Sequence, residues 1–422
     1  MSLATEAEGP FEVVAVDDVR RNVHQVQVEG LEAGREYFFR IERGSEQLGL
    51  PKTYRFRSWR EESQALRLVV LGDMQPSSLE AVFNVRRGLQ AVRAERPELV
   101  VQLGDIVQRG DSAEHWDLLL SALDDVLVDW ALGPFPQVFA DVPLVTVLGN
   151  HDILGDGGKN WSSLFAGPSD ADPRGRYFSH DLGLVRLIVL DAYEVEVGLS
   201  QSQLAWLDTQ LASARDAAQW SLVFLHPSLL STGTANMERE LQALLVPRFA
   251  RFGVHAVFFG HDHMYEHYEY TYGAMGLVHH PNDVPASRAT HYFLSGGGGA
   301  PLEHEYGLCT RMPEESEYRW YDLEQRAWVT MQTWERPWNP ELVNPSAPEV
   351  ARAVAPAYCH DRLVEAYQSE LDIYGHDYGE NTMHYILVDI SRDVLELSVH
   401  YFDGSLIVAP EGQRVQRWQL LR

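Results

Sequence analysis

Short apolar runs without strict alternation occupy the middle of the chain, and such runs are typical of strands covered on both faces. They lie at Leu66–Leu71, Leu99–Leu103, Leu144–Leu148, Val185–Leu190, Ser221–Leu225 and His255–Phe259. Between them, apolar residues recur at helical spacing over Ser78–Ala94 and Ser202–Ala214, and the second stretch begins at a serine cap. This alternation of strands and helices predicts an α/β fold.

Partly alternating runs at both ends of the chain predict further β-structure. Near the start they are Phe11–Val16, His24–Val28, Glu36–Ile41 and Thr53–Phe56, too few strands for a whole sandwich. Near the end they are Met383–Ile390, Val394–Tyr401 and Ser405–Val408, with Asp403-Gly404 as a hairpin turn. The pattern divides the chain into a small β module at 1–62 and a larger domain at 63–422. Insertions at about 264–290 and 303–380 fit neither pattern.

The net charge of the chain limits the classes of partner that it can bind. Lys and Arg number 34 and Asp and Glu number 61, a formal net charge of −27 over 422 residues. A surface this acidic repels nucleic acid and anionic membranes. An anionic substrate would need a local positive site, most simply a bound metal cation. We therefore expect no nucleic-acid or membrane partner, and the oligomeric state stays open.

Cysteine content and apolar run length add two limits. Cys309 and Cys359 are too few for a disulfide scaffold or a cysteine-ligated zinc site, and either one disulfide or two free thiols fits. No run of 18 or more apolar residues predicts a transmembrane helix. No signal peptide is visible at the start. If the N-terminus is truncated, a periplasmic or secreted location is favoured.

Polar residues with carboxylate, amide or imidazole side chains follow five of the apolar runs, mostly directly after a glycine. In α/β sheets ligands bind beyond the carboxyl ends of the strands, and glycine lets the backbone turn sharply there. The candidate site residues are Asp73, Gln75, Asp105, Asn150, His151, Asp152, His226, His261 and His263.

Oxygen and imidazole donors without thiolate suit Mn, Fe, Zn, Co, Ni or Mg and disfavour Cu(I). There are too many donors for one tetrahedral ion, whereas two ions bridged by a carboxylate would use them all. Asp73 and Asp105 contribute −2 against +4 for two divalent ions, and the residual +2 suits a phosphate dianion. We therefore expect a dinuclear site of divalent or trivalent ions.

These motifs, in this order, resemble the calcineurin-like metallophosphoesterase family, over about 66–300 and again in the last forty residues. The stretch from Gly30 to Tyr37 resembles a corner of fibronectin type III-like domains. Together with Gln203-x-x-Trp206-Leu207 and Ser295-Gly296-Gly297-Gly298-Gly299, it makes the chain similar to the purple acid phosphatase-like branch. The resemblance implies a four-layer αββα sandwich with the site at its edge.

The family's residue roles can be carried over by position. The resemblance implies that Asp73 and His263 bind the first metal, that Asp105 bridges both, and that Asn150, His226 and His261 bind the second. It also implies that a metal-bridging hydroxide attacks phosphorus. His151 would contact the phosphate and protonate the leaving oxygen, and Asp152 would orient His151.

Two positions depart from the family pattern. Many members have histidine where this chain has Gln75, whose amide oxygen is a weaker ligand. Purple acid phosphatases have a tyrosine three residues beyond the bridging aspartate, where this chain has Gln108, so we expect no Fe(III)–tyrosinate centre. The identity of the metals therefore stays open.

Taken singly, each motif has an ordinary explanation. His226 before Pro227 suits a core or capping histidine, and Asn150-His151-Asp152 suits a turn. Five such coincidences in one order are far less probable than a site. We expect a hydrolase of small phosphate esters with phosphomonoesters favoured. The alternatives are a phosphodiesterase acting on cyclic nucleotides, nucleotides or lipid head groups, and a non-catalytic metal- or ligand-binding protein.

Overall fold

The structure is a computed structural model, and most of the chain is described in it. The predicted insertion at 303–380, with Cys309 and Cys359, lies largely outside the described residues. The described residues are 1–19, 23–43, 46–47, 53–59, 65–123, 139, 142–165, 171–195, 198–231, 238–273, 286, 288–302, 319–322, 327–330, 376–380, 382–407 and 416–421.

The N-terminal region forms a four-stranded antiparallel sheet in the order β2-β1-β3-β6 and a short ribbon, β4-β5. Its strands are β1 (Ser2–Ala4), β2 (Glu12–Val13), β3 (Glu36–Arg40), β4 (Glu42–Arg43), β5 (Glu46–Gln47) and β6 (Tyr54–Arg57).

Part of the prediction for this region was wrong. His24–Val28 is not a strand, since its residues are largely exposed and pair with no neighbouring strand among those described. The buried segment Ser2–Ala4, which shows no alternation, instead pairs with both β2 and β3. The fibronectin-like assignment is not confirmed.

The first large sheet has six strands in the order β21-β20-β19-β7-β8-β9. β7, β8 and β9 are parallel, and the C-terminal strands add to β7 in antiparallel fashion. The strands are β7 (Leu66–Leu71), β8 (Leu99–Gln102), β9 (Leu144–Thr146), β19 (His384–Ile390), β20 (Val394–Tyr401) and β21 (Arg417–Leu421).

The second large sheet has seven strands in the order β10-β11-β12-β13-β15-β14-β18. β11, β12, β13 and β15 are parallel. The strands are β10 (Phe178–Asp181), β11 (Val185–Val189), β12 (Trp220–Phe224), β13 (Ala256–Phe259), β14 (Tyr265–Tyr270), β15 (Thr290–Ser295) and β18 (His376–Glu380). A separate ribbon pairs β16 (Arg319–Asp322) with β17 (Ala327–Thr330).

Six helices accompany the sheets in the described part of the chain, and the two longest begin where the sequence predicts. The side chains of Ser78 and Ser200 cap them, accepting hydrogen bonds from the backbone amides of Ala81 and Gln203. The helices are α1 (Leu79–Ala94), α2 (Ala113–Leu123), α3 (Asn150–Ile153), α4 (Lys159–Phe165), α5 (Gln201–Asp216) and α6 (Arg239–Phe252).

Alternating side chains of the strands build the layers. In β7, Leu68 and Val70 face an inner apolar cluster shared with β11, β12 and β13 of the second sheet. Val69 and Leu71 face the other way, toward α1 and α2. The outer face of the second sheet packs on α5 and α6 in the same manner. Burial on both faces explains the unbroken apolar runs, and the predicted four-layer αββα sandwich is confirmed.

Two smaller predictions differ from the structure. The predicted insertion at 264–290 begins with β14, a strand that pairs with both β15 and β18 of the second sheet. Ser405–Val408 is not a strand over its described residues, since only Leu406 makes a bridge, to His400. The turn at Asp403-Gly404 is present, and Gly404 adopts a φ of 85°. No helix in the described residues is long and apolar enough to cross a membrane.

Candidate metal centre

The carboxyl ends of parallel strands in both sheets point polar side chains into one place. Asp73 follows β7, Asp105 follows β8 and Asn150 begins α3 after β9. From the second sheet, His226 follows β12 and His261 follows β13. The structure therefore joins residues that are far apart in sequence at one edge of the sandwich, where α/β sheets commonly bind ligands.

A carboxylate and two imidazoles form the centre of this cluster. Asp105, His226 and His261 each offer one ligand atom, and all these atoms lie within 4.8 Å of one another. The His226 Nε2 atom is 3.2 Å from the Asp105 Oδ2 atom, and both side chains are buried. A group of this composition and spacing could hold a metal ion.

The side-chain oxygen of Asn150 lies in the same cluster. Its Oδ1 atom is 3.0 Å from His226 Nε2 and 2.9 Å from His261 Nδ1. The Tyr193 hydroxyl approaches the same oxygen at 3.4 Å. Asn150 is thus placed to share any cation that the two imidazoles bind.

Asp73 and His263 form a neighbouring pair. His263 Nε2 is 3.6 Å from Asp73 Oδ1, and the Asp73 carboxylate accepts a hydrogen bond from the His261 backbone amide at 3.1 Å. Asp73 is fully buried and close enough to Asp105 for the two carboxylates to repel each other. The side-chain oxygens of Asp73 and Asn150 therefore both lie near the carboxylate of Asp105.

Gln75 contacts Asp105 from the first sheet. Its Nε2 atom donates to Asp105 Oδ2 at 2.8 Å, and its backbone amide donates to the Asp105 carbonyl at 3.3 Å. The position predicted as a weak ligand thus lies beside the central carboxylate, with the amide nitrogen toward it.

Asp152 accepts hydrogen bonds from the main chain, and its role in orienting His151 stays a prediction. Its two oxygens accept hydrogen bonds from four backbone amides at 2.9–3.2 Å, three of them in the turn after β8. Those donors are Asp105, Ile106, Val107 and Gly149. Asp152 thus ties the end of β8 to the start of α3.

His151 is oriented by backbone groups. Its Nδ1 atom lies 2.9 Å from the Gln108 carbonyl, and its own backbone amide donates to Asp105 Oδ1 at 2.7 Å. The residue that replaces the family's tyrosine therefore acts through its main chain.

Outer contacts fix the rings of two other histidines. His226 Nδ1 lies 2.8 Å from the Leu103 carbonyl, and His263 Nδ1 lies 2.6 Å from the Pro301 carbonyl. A carbonyl accepts only, so Nδ1 carries the hydrogen in each ring and Nε2 faces the cluster. This is the usual arrangement around ligating histidines.

The backbone at the strand ends adopts conformations that side chains disfavour. The φ angles are 57° at Asp73, 35° at Gln75, 53° at Asp105 and 80° at His261. Non-glycine residues in this region cost about 1–3 kcal/mol each and cluster at functional sites. The local strain thus points to a site held in place by its surroundings.

Glycines at the strand ends allow these close approaches. A Cβ at Gly104 would collide with the ring of His226, and Gly104 itself has a φ of 100°. A Cβ at Gly149 would overlap the carboxylate of Asp105. Packing therefore requires glycine at positions 104 and 149, and the turn adds the same requirement.

Opposite charges set the pKa values of Asp105 and His226. Burial alone would raise the pKa of Asp105, but the charge of His226 and its hydrogen bond hold it at about 2. Burial alone would lower the pKa of His226, but Asp105 outweighs it and raises it to about 9. A proton on His226 Nε2 therefore faces the oxygens of Asp105 and Asn150, and a metal cation would replace it.

The other two imidazoles lose their protons more readily. Burial and then the charge of His226 lower the pKa of His261 to about 3, and burial lowers the pKa of His263. Both rings are neutral near pH 7 and can donate lone pairs. Burial raises the pKa of Asp73 well above its ordinary value.

Tyr193 is a site residue that sequence reasoning missed. It follows β11, whose apolar run was recognised, in the segment Asp191-Ala192-Tyr193. β11 is parallel to β12, so its end lies at the same sheet edge as His226. Reading the residues after every predicted parallel strand would have found it.

Comparison with known proteins shows which family the middle of the chain is similar to. The family model described as calcineurin-like phosphoesterase matches residues 66–265. The match covers a little under half of the chain, and these residues are similar to that family.

Two curated relatives carry phosphatase names. Acid phosphatase type 7 of Mus musculus is 26% identical over 270 residues, which are 58% of this chain and 56% of that protein. Serine/threonine-protein phosphatase CPPED1 of Danio rerio is 29% identical over 243 residues, which are 54% of this chain and 70% of that protein. The chain thus spans little more than half the length of the first of these relatives.

Solved structures share the fold. Purple acid phosphatase PPD1 from yellow lupin (Lupinus luteus) seeds matches with a TM-score of 0.56 and 15% identity, covering 94% of this chain and 61% of that chain. PhoD matches with a TM-score of 0.57 and 11% identity, covering 94% of this chain and 78% of that chain. At these identities the likeness supports the sandwich architecture alone.

Proposed function

We propose that this chain is a metal-dependent phosphoesterase that hydrolyses small phosphate esters, with phosphomonoesters favoured. One observation carries the proposal: the ligand atoms of Asp105, His226 and His261 converge within 4.8 Å at the strand ends of a phosphoesterase domain. The relatives named acid phosphatase and serine/threonine-protein phosphatase support the preference for monoesters.

The oxygen and nitrogen atoms of Asp105, Asn150, His226 and His261 fit a metal ion. His226 Nδ1 is engaged by a carbonyl, so Nε2 faces the oxygens of Asp105 and Asn150, and either a proton or a metal cation lies between them. Electron-rich atoms at 3.0–3.2 Å repel each other without a proton or a metal between them. Oxygen and nitrogen donors of this kind suit divalent transition metals.

Two ions would divide the residues around Asp105. Asp73 and His263 would hold the first, and Asn150, His226 and His261 would hold the second, with the Asp105 carboxylate shared. Gln75 would orient Asp105 through its amide, 2.8 Å away. The two carboxylates leave a net positive charge on such a centre, which attracts phosphate in spite of the chain's net charge of −27.

Two bound ions would supply Lewis-acid stabilisation of the phosphate and a nucleophile at neutral pH. The chain's own contribution is to orient the groups around them. His151, fixed at Nδ1 by the Gln108 carbonyl, has Nε2 free to contact the phosphate and carry a proton to the leaving oxygen. Asp152 keeps the turn that carries Asp105 in place.

The test combines metal analysis with two substrates. Protein purified and reloaded with manganese or zinc should hold about two metals per chain and hydrolyse nitrophenyl phosphate faster than bis-nitrophenyl phosphate. Faster turnover of the diester would favour a phosphodiesterase of nucleotides or lipid head groups. Bound metal without turnover of either ester would favour the non-catalytic binding protein, and absence of metal binding would overturn the proposal.

A further inference from the structure

Tyr193 reaches the candidate metal centre from the loop after β11, which contributes none of the proposed metal ligands. Its hydroxyl donates to Asn150 Oδ1 at 3.4 Å, and its ring centroid is 6.2 Å from that of His226. Its backbone amide donates to Asp191 Oδ1 at 3.0 Å, which fixes the start of the loop. The side chain is therefore held beside the second of the two proposed ion positions.

We propose that Tyr193 is a positioning residue for that second ion, an inference that rests on the proposed function. A side-chain amide oxygen has two lone pairs. If one of them on Asn150 faces the ion, the other can accept the Tyr193 hydroxyl, and the hydrogen bond then fixes the amide with its oxygen toward the metal. His226 and His263 have such outer partners in backbone carbonyls. Tyr193 would supply the equivalent partner for Asn150.

A buried glutamine holds the loop that carries Tyr193. The Gln203 Oε1 atom accepts from the Asp191 backbone amide at 2.9 Å. Its Nε2 atom donates to the Asp191 carbonyl at 2.9 Å and to Glu194 Oε2 at 2.8 Å. One side chain thus fixes the residues on both sides of Tyr193.

Further contacts hold Glu194. Ser200 Oγ donates to its Oε2 atom at 2.6 Å, and Arg174 Nη2 donates to its Oε1 atom at 3.2 Å. Gln203 is completely buried, so the loop is tied to the body of the sandwich at the first turn of α5. Such a network limits the freedom of the tyrosine hydroxyl and makes its position reproducible.

These contacts give a role to the motif Gln203-x-x-Trp206-Leu207. Trp206 packs on Tyr177 with ring centroids 5.1 Å apart, and Leu207 is fully buried in the outer cluster of the second sheet. The two apolar residues seat α5, and the glutamine uses that fixed helix to hold the loop. The motif therefore connects helix packing to the metal centre.

The decisive variant is Tyr193→Phe, which keeps the ring and removes only the hydroxyl. Titration calorimetry of the metal-free full chain with Mn²⁺ should show one of two binding steps weakened about 10-fold and the other unchanged, because loss of an outer partner typically costs about 10–100-fold in metal affinity. The visible absorption spectrum of the Co²⁺-loaded protein should change at the same step.

Tyr385→Phe is the matched control. It also removes a buried tyrosine hydroxyl, one that donates to Glu95 Oε1 at 2.8 Å. Both Mn²⁺ steps should then match the wild type. Gln203→Met is a second variant that keeps the side-chain length, and it should weaken the same step as Tyr193→Phe.

The outcomes separate two failures. If wild type and Tyr193→Phe bind both Mn²⁺ ions equally, Tyr193 has no positioning role, while the proposed function stands. Equal weakening of both steps together with a lowered melting temperature would assign Tyr193 to general packing and also overturn the inference. If the wild type itself binds no Mn²⁺, the proposed function fails, and the inference fails with it.

Discussion

The two large sheets contribute chemically different halves of the candidate metal centre. Strands β7, β8 and β9 of the first sheet lead into the oxygen donors Asp73, Asp105 and Asn150. Strands β12 and β13 of the second sheet lead into the imidazoles of His226 and His261. Neither sheet alone gathers a mixed donor set, so the centre depends on the inner apolar cluster that packs one sheet on the other.

The two halves also reach the centre by different means. Aspartate side chains are short, and the backbone itself bends to a positive φ at Asp73 and Asp105. Histidine side chains are longer, and His226 and His263 are aimed by carbonyls that hold Nδ1. The oxygen half is therefore built by backbone conformation, whereas the nitrogen half combines hydrogen bonds to the rings of His226 and His263 with a positive φ at His261. Substitutions should affect the two halves differently.

The largest effect is expected at the carboxylate that both ions would share. Asp105→Ala should lower kcat/KM for nitrophenyl phosphate by at least about 10³-fold, because losing even an outer partner costs about 10–100-fold per ion. Metal content should fall below one ion per chain. His263→Ala, at one side of the centre, is the comparison and should spare one ion. A variant at Asp105 with normal metal content would contradict the shared role.

The next effect concerns the imidazole that the first sheet supplies. His151→Ala should lower kcat by about 10²-fold at unchanged metal content, as expected for loss of a proton donor. Metal analysis and steady-state kinetics on the same preparation would check both parts. His115→Ala on α2 is a control that leaves the strand ends untouched. Full activity of the His151 variant would remove this residue from the reaction.

Asp152 offers a test of the backbone-built half. Asp152→Ala leaves buried amides of the turn after β8 without their acceptor, and unsatisfied buried donors cost about 1–3 kcal/mol. Denaturant unfolding should show a loss of that size. Asp156→Ala removes an acceptor of two amides in a more exposed turn and should cost less. Equal stability of the Asp152 variant and the wild type would disprove its structural role.

His384 links the two sheets and predicts a pH dependence of stability. Its Nε2 atom lies 3.0 Å from Ser295 Oγ across the sheets, and burial lowers its pKa to about 4. The unfolded chain takes up the proton near pH 6.5, so the contribution is present above that pH and is lost as the pH falls toward 4. By pH 5 the loss is about 2 kcal/mol.

Comparing variants isolates this contribution. His384→Gln should flatten the fall in the free energy of unfolding between pH 7.5 and pH 5. Ser295→Ala removes the hydroxyl but leaves the imidazole buried, so it should keep the wild-type slope. The same slope in His384→Gln and the wild type would show that this histidine does not couple protonation to unfolding.

Much of the sandwich was predictable because the same physical cause shaped sequence and structure. Burial on both faces makes the strands β7, β8, β11, β12 and β13 predominantly apolar. Serine caps predict where α1 and α5 begin. The N-terminal strands were less predictable. A three-residue strand such as Ser2–Ala4 has too few positions to show alternation, whereas the alternating run His24–Val28 has no partner strand to pair with among the described residues.

Positions near the centre were predictable from glycine followed by a polar residue, but individual contacts were not. The sequence predicts that Asp152 orients His151, whereas its hydrogen bonds to backbone amides of the turn after β8 have no signature in the sequence. Such contacts depend on the path of the turn. Tyr193 was missed because the segment Asp191-Ala192-Tyr193 after β11 contains no glycine before a polar residue.

The crowding around the strand-end glycines limits how this centre can diversify. A methyl group at Gly149 or Gly260 would occupy the space of the Asp105 or Asp73 carboxylate. Neighbouring loops could lengthen or change composition to suit a different leaving group, but these glycines beneath the candidate metal centre leave no room for an added side chain. Changes of substrate are therefore expected in the surrounding loops. A mutant library that randomises the strand-end glycines should contain almost no functional members.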